Sequence, residues 1–495
     1  MALENRKTES APPHLPVPDA PSATTRGKSL WINYVSLLGG TLIAKVFALF
    51  TVLMLTRYLG VEDFGRYSLI FSYWALLNTL MDFGGSHIMG REIARDPHHL
   101  RPSVESVIYI RLLGCVVFLP VGILLANVLG LGTDLMLVAF LGILVGFEAF
   151  YDIYFSATMQ LDSNAKARFF SSMANVVLMG LAMLLKLPLI AIVLIAMLNP
   201  LLKLLCDYRY APFKIKLHTP DWPRIRSIAM DGWPLWLMGL QYLLLSRIDT
   251  FMLQVLSPTG EHELGIYSAA FRLSEVMALL INAMCPALLP LLVKHMHEPE
   301  RIGFLAGTST RLILAGVMML TLFIFGYAPW IVKIYGPGYT EATLCMRILI
   351  WSQALVAINT VCYHLLVIYN AQGRRPVLIS SILMTVLNIG LNLWLIPWLH
   401  AAGASWATVV TEAAISISML CFLHAYTPLR LVRDVLLIEC LALLSCLPMV
   451  MFGGNYGWMS ILLFALLVWG LKLLTPEALR ALARERLHED PTNPT

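Results

Sequence analysis

Apolar runs of about twenty residues follow one another from Leu30 almost to the end of this chain, with short polar gaps between them. About twenty apolar residues in helix are needed to cross a bilayer core, and a helix satisfies its own backbone hydrogen bonds there. The pattern predicts an all-α polytopic membrane protein with about fourteen transmembrane helices. The spans start near Leu30, Tyr67, Val104, Asp134, Phe169 and Pro188, then near Ile228, Gly265, Thr310, Glu341, Val377, Ala401, Arg433 and Tyr456. Gly39-Gly40, Pro234 and Pro286 fall inside spans, where membrane helices tolerate them. Composition sharpens the picture: 58% hydrophobic residues, 13% charged residues and a mean hydropathy of +0.73 over 495 residues leave no soluble alternative.

The basic residues fix an orientation. With the amino terminus inside, 27 of the 35 Lys and Arg fall in inner segments, four lie in spans and four (Arg57, Arg66, Lys186 and Lys333) lie in outer gaps. Such a bias places both termini in the cytoplasm and accounts for the net charge of +5 without nucleic acid. Residues 1–29 are polar and Pro-rich and read as a disordered cytoplasmic tail rather than a cleavable signal. The eight cysteines lack metal-ligand spacing, and Cys115, Cys285, Cys362 and Cys446 read as small buried hydrophobes.

A repeat divides the chain. Asp63-Phe64-Gly65-Arg66-Tyr67-Ser68-Leu69-Ile70-Phe71 returns 200 residues later as Glu263-Leu264-Gly265-Ile266-Tyr267-Ser268-Ala269-Ala270-Phe271, with Gly, Tyr, Ser and Phe in register. Residues 164–168 and 370–374 echo each other more weakly. The repeat predicts two parallel six-helix lobes, 30–211 and 228–427, joined by a basic cytoplasmic linker at 212–227. A C-terminal hairpin of two helices (428–475) and a cytoplasmic tail (476–495) follow; residues 476–487 suit either an amphipathic surface helix or a solvated tail.

Several motifs carry a family resemblance. Arg57-Tyr58-Leu59-Gly60 followed by Glu62 to Ser68 resembles the amino-terminal signature of the Wzx-type polysaccharide-biosynthesis flippases. Asp82-Phe83-Gly84-Gly85 leading into Arg91-Glu92-Ile93-Ala94-Arg95, and Arg247-Ile248-Asp249 before the second Gly-x-Tyr-Ser, extend it. Tyr335 to Tyr339, Asn388 to Asn392 and Ala401 to Ala404 carry it to about Thr427. The larger group is the multidrug/oligosaccharidyl-lipid/polysaccharide exporter (MOP) superfamily. The resemblance implies two lobes around a central cavity, alternating access, and a bacterial inner-membrane location. Its implied cargo is an undecaprenyl-pyrophosphate-linked oligosaccharide moved from the cytoplasmic to the periplasmic leaflet for O-antigen or exopolysaccharide synthesis. Coupling to H+ or Na+ and association with a polysaccharide polymerase also follow from it; no cofactor does.

Charges inside spans are costly and are functional candidates. The cations are Lys45, Arg247, Arg272 and Arg347. The repeat offset carries Lys45 to position 245, beside Arg247, so corresponding helices would each offer one cation to the cavity. Arg can grip phosphate oxygens at two points, which suits a pyrophosphate headgroup. A structural reading stays open: Arg272 neutralises Glu275 on one helix face, and Arg347 snorkels to an interface.

The anions Asp82, Glu148, Asp152, Asp249 and Glu275 are ion-coupling candidates, with Glu412 and Glu439 also inside spans. Glu148 and Asp152, four apart, share a helix face and would hold a proton or a sodium ion. The alternative is structural pairing with Arg or Lys from another helix. Asp82, beside Phe83-Gly84-Gly85, alternatively marks a helix break, and His364 reads as a satisfied core histidine. Two other functions compete: a cation-coupled multidrug exporter of the same architecture, which a carboxylate-dominated cavity would favour, and a membrane enzyme, which would need an extramembrane catalytic domain the short loops do not supply.

Overall fold

The computed structural model describes residues 23–95, 100–132, 148–157, 161–210, 218–295, 297–369, 374–427, 429, 431–452, 456–478 and 480, and these are almost wholly helical. In chain order the helices are α1 (Ala23–Asp82), α2 (Gly85–Arg95), α3 (Leu100–Val128), α4 (Glu148–Ala157), α5 (Leu161–Leu184), α6 (Leu189–Tyr210) and α7 (Trp222–Leu256). Then come α8 (Gly260–Lys294), α9 (Pro299–Tyr335), α10 (Ala342–Tyr369), α11 (Arg374–Tyr426), α12 (Val432–Ser445), α13 (Leu447–Phe452) and α14 (Gly457–Gly470). The side chains of Lys45, Glu148, Glu275 and Cys285 lie outside the described residues, as do residues 1–22, the first part of the linker (212–217) and residues 481–495.

Two of these helices each carry two predicted spans. α1 breaks at Gly60, whose φ of 74° takes the chain out of the helix and back. α11 breaks at His400, just beyond Pro397. Several helices start ahead of the apolar runs: α1 at Ala23, inside the expected disordered tail, α8 at Gly260 and α9 at Pro299. They run past the apolar stretch into polar residues, as α7 does, where a side chain caps the first turn. Asp221 accepts a hydrogen bond from the Arg224 amide (3.2 Å), with Pro223 in the first turn of α7.

Six helical stretches among the described residues are long and apolar enough to cross a membrane on length and composition: Pro102–Val128, Ser163–Leu184, Leu189–Arg209, Glu300–Tyr335, Ala342–Leu366 and Val377–Tyr426. Their outward faces are apolar, as lipid requires, with Val116, Leu124, Leu184, Val386, Trp398 and Ile417 all exposed. The protein is a polytopic helical membrane protein. Cys362 and Cys446 are buried, Cys115 is half-buried, and all three are free thiols.

The two copies of the repeat meet face to face. Gly65 of α1 lies against Gly265 of α8: a Cβ on Gly65 would collide with the Glu261 carbonyl, and one on Gly265 with the Val61 carbonyl. Only glycine permits this backbone-to-backbone approach. In each copy the motif Tyr stacks on the motif Phe one turn later, at 4.6 Å for Tyr67–Phe71 and 5.8 Å for Tyr267–Phe271. Around this seam Arg66 pairs with Glu261 (2.7 Å), the Tyr339 hydroxyl donates to the Gly60 carbonyl (2.9 Å) and Arg57 Nε donates to the Ile334 carbonyl (2.7 Å).

At the opposite end α1 stops at Asp82. Phe83 (φ 46°) and Gly84 (φ 75°) turn the chain, and α2 begins at Gly85. Gly84 abuts the backbone of Gly232 on α7, again with no room for a Cβ. Arg224 binds Glu92 and Ser103 (both 2.9 Å), and the Trp236 indole donates to the Thr79 carbonyl (2.9 Å). The C-terminal helices α12 and α14 pack on α9, where Arg311 pairs with Asp434 (2.8 Å) and reaches the Leu473 carbonyl.

Candidate functional site

Between α1, α2, α3 and α7 lies a cleft of about 290 Å3, lined by Asn78, Thr79, Asp82, Gly84, Ser86, His87, Arg111, Leu235, Trp236 and Gly239. Its walls come from both copies of the repeat. Asp82, the last residue of α1, is held on three sides. Arg111 Nε lies 3.2 Å from Oδ1, the Ser86 amide donates to Oδ2 (3.3 Å), and the Ser86 hydroxyl donates to Oδ1. The carboxylate thus caps α2, where the helix dipole favours negative charge. Arg111 is almost buried at 9% exposure, and its guanidinium lies 5.2 Å from the centre of the Phe150 ring.

A second site is built around Asp249 on α7, which is only 3% exposed. Its Oδ2 accepts from the Tyr267 hydroxyl (2.7 Å) and from Thr408 Oγ1 (2.8 Å), and its Oδ1 accepts from Asn392 Nδ2 (2.6 Å). Asn392 also reaches the carbonyl and side chain of Asn388 (3.0 and 3.1 Å). Asn392 Oδ1 is buried with no hydrogen-bond partner among the described residues. The groups that donate these hydrogen bonds to the carboxylate are all neutral, and Tyr267 is the motif tyrosine of the second repeat. Oxygen atoms of Asp249, Asn388, Asn392 and Thr408 gathered in this way could hold a proton or a hard cation. On the same side of the bundle Glu412 accepts from Asn359 Nδ2 (2.7 Å).

The other candidates disperse. Arg247 is half-buried with its guanidinium 5.9 Å from the Phe271 ring centre, and Arg272 is half-buried on α8. Arg347 Nε donates to the Phe325 carbonyl (3.1 Å) and stacks on the same residue's ring at 5.4 Å. Asp152 pairs with Arg168 (3.1 Å) and with Lys203 (2.5 Å), and Lys203 also binds the buried Asp207 (2.6 Å). His364 Nδ1 is satisfied by the Thr360 carbonyl (2.7 Å).

A family model described as polysaccharide biosynthesis protein matches residues 30–296, more than half of the 495-residue chain. The chain belongs to that family. It covers both the first repeat and the second Gly-x-Tyr-Ser, the segments whose glycines touch. No curated protein matches the sequence. Among solved structures, the lipid II flippase MurJ in an inward closed conformation is similar at 11% identity, covering 92% of this chain and all of that one, with a TM-score of 0.67. A multidrug resistance MATE family transporter of the MOP superfamily is similar in its inward-facing form (16% identity, TM-score 0.56, 79% of this chain and 94% of that one). Its outward-facing form gives 17% identity, a TM-score of 0.57 and coverage of 81% and 95%. At these identities the likeness shows the fold alone, one shared with MurJ and with the MATE family transporters.

Arg111 is the residue that sequence reasoning missed. It counts as an inner-loop charge in the orientation tally, yet α3 starts at Leu100 and carries it about 16 Å along the helix axis. The predicted span start near Val104 already sets Arg111 about two turns inside the helix, so it was the charge tally and not the helix boundary that concealed it. Asn392, Thr408 and Tyr267 were missed as a set because their convergence on Asp249 requires three helices to come together.

Proposed function

We propose that this protein is a flippase for lipid-linked oligosaccharides, moving undecaprenyl-pyrophosphate-linked repeat units from the cytoplasmic to the periplasmic leaflet of a bacterial inner membrane, with both termini cytoplasmic. The observation that carries this reading is the direct contact of Gly65 and Gly265 in a member of the polysaccharide biosynthesis family. Corresponding helices of two repeats close one end of the bundle, and parting them would open it, as alternating access requires. On this reading residues 30–211 and 228–427 are the two lobes. The cations Arg247, Arg272, Arg347 and Lys45 line the path of the headgroup, and the neutral cage around Asp249 takes the coupling H+ or Na+. Asp152, already shared between Arg168 and Lys203, ties helix ends together instead.

The test is protein-dependent exposure of an undecaprenyl-pyrophosphate oligosaccharide across the bilayer of proteoliposomes, with and without ion gradients. Exposure is expected, and an ion gradient is expected to accelerate it. Reversing the charge of both Lys45 and Arg247 is expected to abolish exposure while membrane insertion persists; normal flipping by that variant would overturn the cavity assignment. The uncompensated carboxylate at Asp249, together with the MATE-like fold, favours a second reading as a cation-coupled exporter of cationic drugs. Efflux of cationic dyes from the same vesicles without glycan exposure would establish it.

A further inference from the structure

The cleft at the end of α1 holds an anion already, and that anion belongs to the protein. We propose that Asp82 occupies, in the unloaded state, a subsite built for an oxygen of the substrate's diphosphate, so that loading exchanges an intramolecular carboxylate for a phosphate oxygen on Arg111 and the first turn of α2. This rests on the flippase reading and gives its headgroup a place.

The donors around Asp82 have the character of a phosphate cradle: a guanidinium, a hydroxyl and a backbone amide at the start of a helix. The cradle does not depend on Asp82 for its shape. Arg111 is fixed from its other face by Phe150, and Ser86 by the helix it opens. Asp82, by contrast, stands immediately before a two-residue turn in which Phe83 adopts a left-handed φ of 46°, a conformation unfavourable for a side chain of that size. A small rotation there withdraws the carboxylate and relieves the turn.

The space beside the cradle suits the rest of a headgroup. Asn78, Thr79 and His87 offer polar groups, and Trp236 of α7 offers an aromatic wall against which a sugar face can lie. Phe83 and Trp236 have ring centres 4.9 Å apart, so a movement of the turn reaches the contact between the two repeats directly. An ion pair serving only to cap α2 would need neither the cleft nor a wall supplied by the other repeat. Occupation by Asp82 also gives a means of release. As the carboxylate returns, it competes for the same donors and lets the phosphate go.

The test is binding to the purified full-length protein in detergent by native mass spectrometry, with undecaprenyl diphosphate as one probe and phosphatidylglycerol as the other. Asp82→Asn keeps the shape and removes the competing charge. It is expected to bind undecaprenyl diphosphate about tenfold more tightly than the parent protein, with no gain for phosphatidylglycerol. Arg111→Gln is expected to weaken undecaprenyl diphosphate binding by about the same factor. Equal gains for both probes would overturn the assignment to a diphosphate. Unchanged or weaker diphosphate binding by monodisperse Asp82→Asn would overturn the subsite, and this holds even if Arg111→Gln fails to fold. Binding is read without transport, so a parent protein that binds but does not flip contradicts the flippase reading alone.

Discussion

The clefted Asp82 and the caged Asp249 are both carboxylates within the helical bundle, and they are stabilised by opposite means. Asp82 faces a full positive charge at the edge of a cleft that can admit a ligand. Asp249 is buried among neutral donors, and one amide oxygen beside it has no hydrogen-bond partner among the described residues. A carboxylate that already has a cation gains little from a second one, and the group it can give up is its place beside that cation. A carboxylate surrounded only by dipoles has no cation to balance it, so burial favours its uptake of a proton or a metal cation. The first arrangement therefore suits exchange of anions and the second suits uptake of a cation. A transporter of a charged headgroup driven by an ion needs one of each.

The largest break in this comparison should come from Asp249→Ala. It leaves Tyr267, Thr408 and Asn392 with buried groups unpaired, at about 1–3 kcal/mol for each group not rescued by water. The expected result is a markedly lower unfolding temperature in detergent, whereas Asp249→Asn should stay folded and lose the response of flipping to an ion gradient. Next in size is the exchange Asp82→Arg with Arg111→Asp. The pair can re-form with its polarity reversed while the cap on α2 is lost, so unfolding stability should fall by about 1 kcal/mol while flipping falls by about tenfold or more. If flipping survives the exchange, the cleft does not handle an anion. Thr408→Val should be milder, removing one of three donors to Asp249 at about 1 kcal/mol in unfolding stability and leaving gradient dependence in place. Arg66→Gln should be smallest. Its partner Glu261 sits in an exposed pair at the seam, so less than about 1 kcal/mol is expected in the same unfolding measurement.

Much of the fold was legible because a bilayer imposes a length on its helices. The apolar runs gave the spans, and the 200-residue offset between Gly65 and Gly265 singled out the two residues that touch. The break beside Asp82 could be read from Phe83-Gly84-Gly85. Helix starts came out late because amphipathic first turns extend beyond the apolar core, whereas Arg111 was hidden by being counted with the inner charges although the predicted span began near Val104. The Asp249 cage was legible only in its carboxylate. Its donors are neutral residues from α8 and α11, far apart in sequence, and no spacing rule links Tyr267 to Thr408 or Asn392. Asp152 illustrates the converse: its position one turn from Glu148 pointed to a shared ion, while Arg168 and Lys203 reach it from two neighbouring helices.

The contact between Gly65 and Gly265 bears on how such a chain can diverge. Where two side chains meet, a change in one is often absorbed by a smaller or rotated neighbour. Here each position meets main chain, which has no alternative rotamer and cannot be shortened. A methyl group acquired at either site must therefore be accommodated by moving a whole helix, and no second substitution across the interface can make room for it. The two positions are held independently by the same obstacle, each facing the backbone of the other copy. That holds both positions to glycine, while the residues around them remain free to drift.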